Sequence, residues 1–303
     1  MVAIVESILP VFILIGLGFG IRRARLLPDS FWPAAEGLTY YLTFPALLIT
    51  NTAKAALGGD LVLTLAVVLL GPIVITALLL AAVRAALHAD GRVFSSIFQG
   101  ALRPNTYIGL AVAKSLLDQE KFAMAALCVA LAVPLVNVLS VAALTAWVGD
   151  RQIEAKALLR PLAKNPLIIA CAIGALLNAF DFRAVALLLP TLEILGQSAL
   201  PIGLLAIGAG LIREGPISFY PLLSSSVIKL LVLPAITALV CHLWRVEHSV
   251  STVVVFFSAL PTAPSSYILA RQMHGDAALM ANIIALQTLL ALCTLPLLLF
   301  ILR

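Results

Sequence analysis

Two short stretches carry most of the chemistry this sequence offers. The first reads Gly100-Ala-Leu-Arg-Pro-Asn-Thr-Tyr-Ile-Gly109, and the second reads Ala259-Leu-Pro-Thr-Ala-Pro-Ser-Ser-Tyr267. Each interrupts a long apolar run with proline and with side chains that hydrogen-bond. Pro104 has no N–H and disfavours helix at Arg103, and Gly100 and Gly109 loosen the same stretch. Asn105 and Thr106 offer polar groups where backbone bonds are lost. In the second stretch Pro261 and Pro264 break the run, and Thr262, Ser265 and Ser266 supply hydroxyls. An arginine amid such apolar text costs about 2.5–3.5 kcal/mol if it sits in a bilayer. Glu6, Glu36 and Glu193 lie near the ends of apolar runs and are not obvious partners for Arg103. A carboxylate on a bound molecule is one candidate, because guanidinium grips it through two parallel hydrogen bonds. The competing reading is that Arg103 snorkels, or binds carbonyls freed by the break.

Other polar residues in apolar runs carry less. Lys229 follows Ser224, Ser225 and Ser226 by about a helical turn, and a structural role is the preferred reading. Asn51, Asn282 and Gln287 are kept as additional candidates to line a cavity, although interhelical hydrogen bonding is the default for such residues. The four cysteines (Cys128, Cys171, Cys241, Cys293) show no short pairing, and the four histidines sit at or beyond run ends. No metal site or cofactor is expected. No HExxH motif and no paired intramembrane acids point to an enzyme. A sensor would need an output domain that the text does not contain.

The elements that hold these stretches follow from composition. Of 303 residues, 62% are hydrophobic and 11% charged, against about 25% charged in soluble domains. Lipid, itself apolar, accommodates such a chain. A spanning helix needs about 20 apolar residues, and ten runs qualify: 2–21, 34–52, 61–83, 93–113, 122–148, 166–180, 194–212, 217–244, 249–270 and 277–302. They are numbered TM1 to TM10, so the two interrupted stretches fall in TM4 and TM9. TM6 is marginal in length. TM1 reads as an uncleaved span rather than a signal peptide. Loops on one side hold Arg22, Arg23, Arg25, Arg84, Arg92, four basic residues in 149–165, Arg213 and Arg271, eleven in all. The other side holds Lys54, Lys114, Lys121, Arg183, Arg245 and Arg303, six in all. The excess predicts that the first side is cytoplasmic, with both termini outside. The net charge of +5 suggests no nucleic-acid partner.

The halves resemble each other. Pro10 and Pro166, Gly18 and Gly174, and Pro45 and Pro201 are each 156 residues apart. Five spans per half force the second half to enter the membrane inverted. The expected division is 1–148, a cytoplasmic linker over 149–165, and 166–303. Paired interruptions at matching places in two inverted repeats are the best sequence pointer to a transporter's binding site.

The sequence resembles bacterial members of the auxin efflux carrier family, relatives of plant PIN proteins and of malonate-transporter-type permeases. The resemblance runs the whole chain. It rests on Leu9-Pro10 with Gly16-x-Gly18-x-Gly20, Leu42-Thr-Phe-Pro45-Ala-Leu-Leu, Arg103-Pro104-Asn105-Thr106-Tyr107-Ile108-Gly109, Lys229-Leu-Leu-Val-Leu-Pro234 and Pro261-Thr-Ala-Pro264-Ser-Ser-Tyr267. Only the TM4 and TM9 segments are fairly specific. The resemblance implies an all-α membrane protein of ten helices in two inverted five-helix repeats, with broken TM4 and TM9 crossing at Pro104, Pro261 and Pro264 beside an anion site. The expected function is secondary transport of small organic anions, such as mono- or dicarboxylates, by alternating access. Arg103, Asn105, Thr106, Tyr107, Ser265 and Ser266 are the expected substrate contacts. A sodium-coupled symporter of the bile-acid type is the alternative. The expected setting is a bacterial inner membrane, with the lipid bilayer and the anion as partners and a homodimer left open.

Overall fold

The structure is a computed structural model that describes residues 2–54, 59–87, 90–148, 166–180, 188–211 and 219–302. The expected linker, 149–165, lies outside the described residues. Every regular element among those described is helical. In chain order the helices are α1 Val2–Arg23, α2 Phe31–Leu38, α3 Phe44–Ala53, α4 Gly59–Leu87, α5 Gly91–Leu102, α6 Thr106–Leu116, α7 Gln119–Val148 and α8 Pro166–Phe180. Then come α9 Leu189–Gly210, α10 Phe219–Val227, α11 Leu233–Leu243, α12 His248–Ser258, α13 Ser265–Gln272 and α14 Ala277–Ile301. Five segments among the described residues are long and apolar enough to cross a bilayer: Gly59–Ala86, Glu120–Val148, Leu189–Gly210, Phe219–Leu243 and Ala277–Ile301. Large apolar side chains such as Leu63, Leu78, Leu239 and Ile301 point outward, as they do where the solvent is lipid.

Two helical segments contain a π-helical turn, and proline explains both. Thr39–Thr43 joins α2 to α3, and Ile228–Val232 joins α10 to α11. Pro45 and Pro234 follow closely. Each lacks an N–H and would crowd the carbonyl four residues back. The chain widens by one residue there instead: Phe44 N–H bonds to Thr39 O, and Leu233 N–H to Ile228 O.

Polar anchors divide the ends of the helices between two faces. On one face Arg22 Nη1 donates to Ala209 O at 2.7 Å, and Arg92 Nε donates to His274 O at 3.0 Å. On the other, Lys54 pairs with Glu193 at 2.5 Å, and Asn178 Nδ2 donates to Ala53 O at 2.9 Å. Helix starts are capped by acids at these faces. Asp90 accepts from the N–H groups of Arg92 and Val93, and Asp276 accepts from that of Leu279. Asp118 accepts from the Lys121 N–H, which with the Lys121 ammonium holds its carboxyl below the usual range. Three helices end in paired 6→1 and 5→2 or single 6→1 caps around a left-handed residue, at Arg25, Arg245 and His274.

Small residues bring the backbones of α1 and α9 together. A Cβ on Gly18 would strike the Leu205 carbonyl, and one on Gly208 would strike the Ile15 carbonyl. Between lipid-embedded helices, where water offers no drive to associate, such close packing supplies the attraction. The same kind of contact joins α8 to α3, where a Cβ on Gly174 would lie 2.9 Å from Ile49 O. Gly208→Leu should therefore force α1 and α9 apart. We expect a lower unfolding midpoint in detergent and poor recovery of folded protein, with overpacking costing about 1–3 kcal/mol or more. Gly20→Leu is the control, since nothing lies within 4 Å of its added Cβ. Equal midpoints for the two variants would contradict the contact.

Candidate functional site

TM4 is broken as its proline requires. α5 ends at Leu102, Arg103 is extended at φ −76° and ψ 120°, and α6 starts at Thr106. Asn105 caps α6, its Oδ1 accepting from Ile108 N–H at 3.2 Å. TM9 is broken likewise: α12 ends at Ser258 and α13 starts at Ser265. The two breaks touch. Asn105 N–H donates to Pro261 O at 2.7 Å.

A break in lipid strands backbone groups that must find partners. Pro104 has no N–H to offer Gly100 O, and Gln287 Nε2 of α14 supplies one at 3.1 Å. Thr262 N–H, removed from the helical bond to Ser258 O, donates to Gln287 Oε1 at 2.9 Å. Gln287 thus stitches both breaks at once and is fully buried. Ser258 O accepts from Lys229 Nζ at 3.1 Å, and Leu102 O lies 3.5 Å from the same ammonium. From the sequence, Gln287 is only a possible lining residue and Lys229 a structural one. Their polarity within apolar spans was the available signal.

Among the described residues, other polar groups remain without a protein partner. Arg103 Nη2 donates to Ser265 Oγ at 3.1 Å, but buried Nη1 has none. Asn105 is buried, and its Nδ2 has none. One turn before Arg103, neither amide atom of buried Gln99 is bonded. Arg103 forms no ion pair among the described residues; Tyr40 lies within its electrostatic reach. The N-terminal ends of α6 and α13 meet here, adding partial positive charge. Buried polar groups are nearly always satisfied, so this cluster is suited to a polar, electron-rich guest.

The remaining sequence candidates divide. Thr106 opens α6 and is buried. Tyr107 packs its ring 4.7 Å from that of Phe44, and a Cβ on Gly203 would meet the same ring. Ser266 Oγ lies 3.3 Å from Thr262 Oγ1, inside the TM9 break. Pro104, Pro261 and Pro264 all sit in the broken segments. Asn282 is buried in α14. Asn51 is spent locally: its Nδ2 bonds to Leu47 O of its own helix at 2.7 Å. Among the described residues no cluster of His, Cys, Asp and Glu is arranged to hold a metal.

A cavity of about 700 Å³ opens at the face bearing Arg22, Arg23 and Arg25. Phe12, Ile15, Gly16 and Phe19 of α1 form one wall, and Ala285, Thr288, Leu289 and Leu292 of α14 form the other. It does not include Arg103 or Asn105, but it reaches Thr288, adjacent in α14 to the Gln287 that binds both breaks.

A family model described as membrane transport protein matches residues 150–299, about half the chain. The chain belongs to the membrane transport protein family. This is the family of the auxin efflux carriers, and membership makes the chain an integral membrane transporter. Comparison with curated proteins gives no match. In a membrane transport protein, paired breaks surrounded by unpartnered donors are where a solute is expected to meet the backbone.

Proposed function

We propose that this membrane transport protein is a secondary carrier of small organic anions, mono- or dicarboxylates, operating by alternating access. The observation that carries the reading is the set of buried, unpartnered donors at the touching breaks. Arg103 Nη1 and Asn105 Nδ2 sit with two helix N-termini, and charge and dipoles favour an anion there. Arg103, Asn105, Thr106, Tyr107, Ser265 and Ser266 are its contacts in this reading.

Alternating access rests on ten spans in two inverted repeats, over 1–148 and 166–303. Two contacts favour it. Gly18 meets Leu205, and Gly174 meets Ile49. Each half of the first contact shifts by 156 residues into a member of the second, with the partners exchanged. Gly208 meets Ile15, and the same shift relates them to Thr52 and Cys171, also neighbours. A two-fold relation between the halves produces such exchanges. The arginine-lined cavity then serves as the approach from the cytoplasm, in the inner membrane of a bacterium with both termini outside.

Uptake of labelled malonate or malate into proteoliposomes tests the function. Gly16→Cys in a Cys293→Ser background tests the path, since Gly16 lines the cavity and has room for a Cβ. A bulky, impermeant thiol reagent should block transport when applied from the arginine-bearing face and not from the other. Uptake indistinguishable from empty liposomes across the carboxylates would refute the substrate class. Undiminished uptake after full labelling would refute the path.

A further inference from the structure

Lys229 is a basic side chain buried within an apolar helical segment, 1% exposed, without an acidic partner among the described residues. Its neighbours explain how it is tolerated. Ser258 is the last residue of α12, and Leu102 is the last residue of α5. Their carbonyls lack the helical donors that an unbroken span would give, and both belong to negative ends of helix dipoles. Lys229 Nζ donates to Ser258 O at 3.1 Å and reaches Leu102 O at 3.5 Å. One ammonium therefore serves the C-terminal ends of both half-helices, while Arg103 lies beside the N-terminal ends.

The local fold aims it there. Lys229 belongs to the π-helical turn Ile228–Val232 that Pro234 imposes. One turn earlier, Ser225 Oγ donates to Ile97 O at 3.2 Å and fixes the same helix to α5. In carriers that use broken helices, half-helix C-termini and unwound carbonyls are the groups that coordinate a coupling Na⁺. Here those groups are already taken.

We propose that Lys229 is a tethered cation occupying the position of a coupling ion at the crossover, so that this carrier works without Na⁺. The clause about coupling rests on the transport reading; the occupancy of the site does not. A shorter neutral side chain should turn the same carbonyls into a site for a free monovalent cation. A lysine that merely filled space would leave no such site behind.

The test uses the full chain in nanodiscs, with thermal unfolding followed in NaCl, in methylammonium chloride and in choline chloride at equal ionic strength. The wild-type midpoint should be the same in all three. Lys229→Ser should unfold several degrees lower in choline and recover a large part of that loss, saturably, in Na⁺ or methylammonium. Lys229→Met, similar in length but neutral and apolar, should unfold low in all three. A wild-type midpoint raised by Na⁺ over choline would overturn the proposal. So would a Lys229→Ser variant that responds to cations no more than Lys229→Met. If neither variant folds, the wild type still decides, because carboxylate uptake that falls when choline replaces Na⁺ contradicts a tethered ion. Absence of all carboxylate uptake would instead count against the transport reading and leave the unfolding result standing.

Discussion

Arg103→Ala should abolish carboxylate uptake without lowering the thermal stability of the substrate-free protein. The two halves of this expectation have separate causes. Arg103 is buried, makes a single side-chain hydrogen bond, to Ser265, and has no ion pair among the described residues. An arginine in the membrane costs about 2.5–3.5 kcal/mol, so removing it relieves more than the lost bond to a neutral hydroxyl forfeits. The unfolding midpoint should stay level or rise. For a bound carboxylate the balance reverses, since the anion loses its charge-assisted partner. Truncating one member of a buried charge pair costs roughly 2–5 kcal/mol, and each 1.4 kcal/mol or so is tenfold in affinity. Binding should therefore weaken by about two orders of magnitude. Arg103→Lys should restore part of the uptake, because an ammonium keeps the charge but lacks the planar fork. An alanine variant that binds substrate as tightly as wild type would remove Arg103 from the site and leave Asn105, Thr106 and the TM9 hydroxyls.

Gln287→Leu should behave in the opposite way, destabilising the protein whether or not substrate is present. The amide gives Gly100 O the donor that Pro104 cannot supply, and it accepts from the Thr262 N–H. Leucine has nearly the same bulk and neither function. Each orphaned buried group costs about 1–3 kcal/mol, and two are created together. We expect a large drop in the unfolding midpoint, with transport lost in the fraction that remains folded, because the breaks are no longer held in register. Purified variants compared in the same lipid give the measurement. A Gln287→Leu midpoint within error of wild type would mean that the two backbone groups find other partners and that the stitch is dispensable. The pair of variants separates the roles: one side chain is expected to serve the guest, the other the broken backbone.

Much of this was legible before any fold was known, and particular residues show why. The run 166–180, marginal in length, is one helix with the same bounds in the structure, Pro166–Phe180. Apolar length identifies spans because lipid leaves few alternatives to a helix. Pro104 and Pro261 identified breaks, because the missing N–H and the ring clash act locally on the chain that carries them. Asn105 was legible as a polar group beside the lost backbone bonds, and the structure shows it capping α6. Asn51 shows the limit. Its polarity within an apolar run made an interhelical hydrogen bond the default reading and cavity lining a further candidate, and its amide donates instead to Leu47 O four residues earlier in its own helix. Nothing in its sequence neighbourhood distinguishes that use from the other.

The sequence by itself determined that the chain is built of apolar helices, where two of the apolar runs break, and which residue types lie at the breaks. Those are consequences of hydropathy and of proline geometry, both of which act over a few residues. The tertiary structure decided what repairs the breaks. Lys229 and Leu102 are 127 residues apart, and Gln287 and Gly100 are 187 apart, so no local pattern can pair them. It also decided which donors are left over, Arg103 Nη1 and Asn105 Nδ2 among them. That remainder depends on every helix packed around the two touching breaks at once, because a buried hydrogen-bonding group is satisfied or stranded by neighbours in space and not by neighbours in the chain.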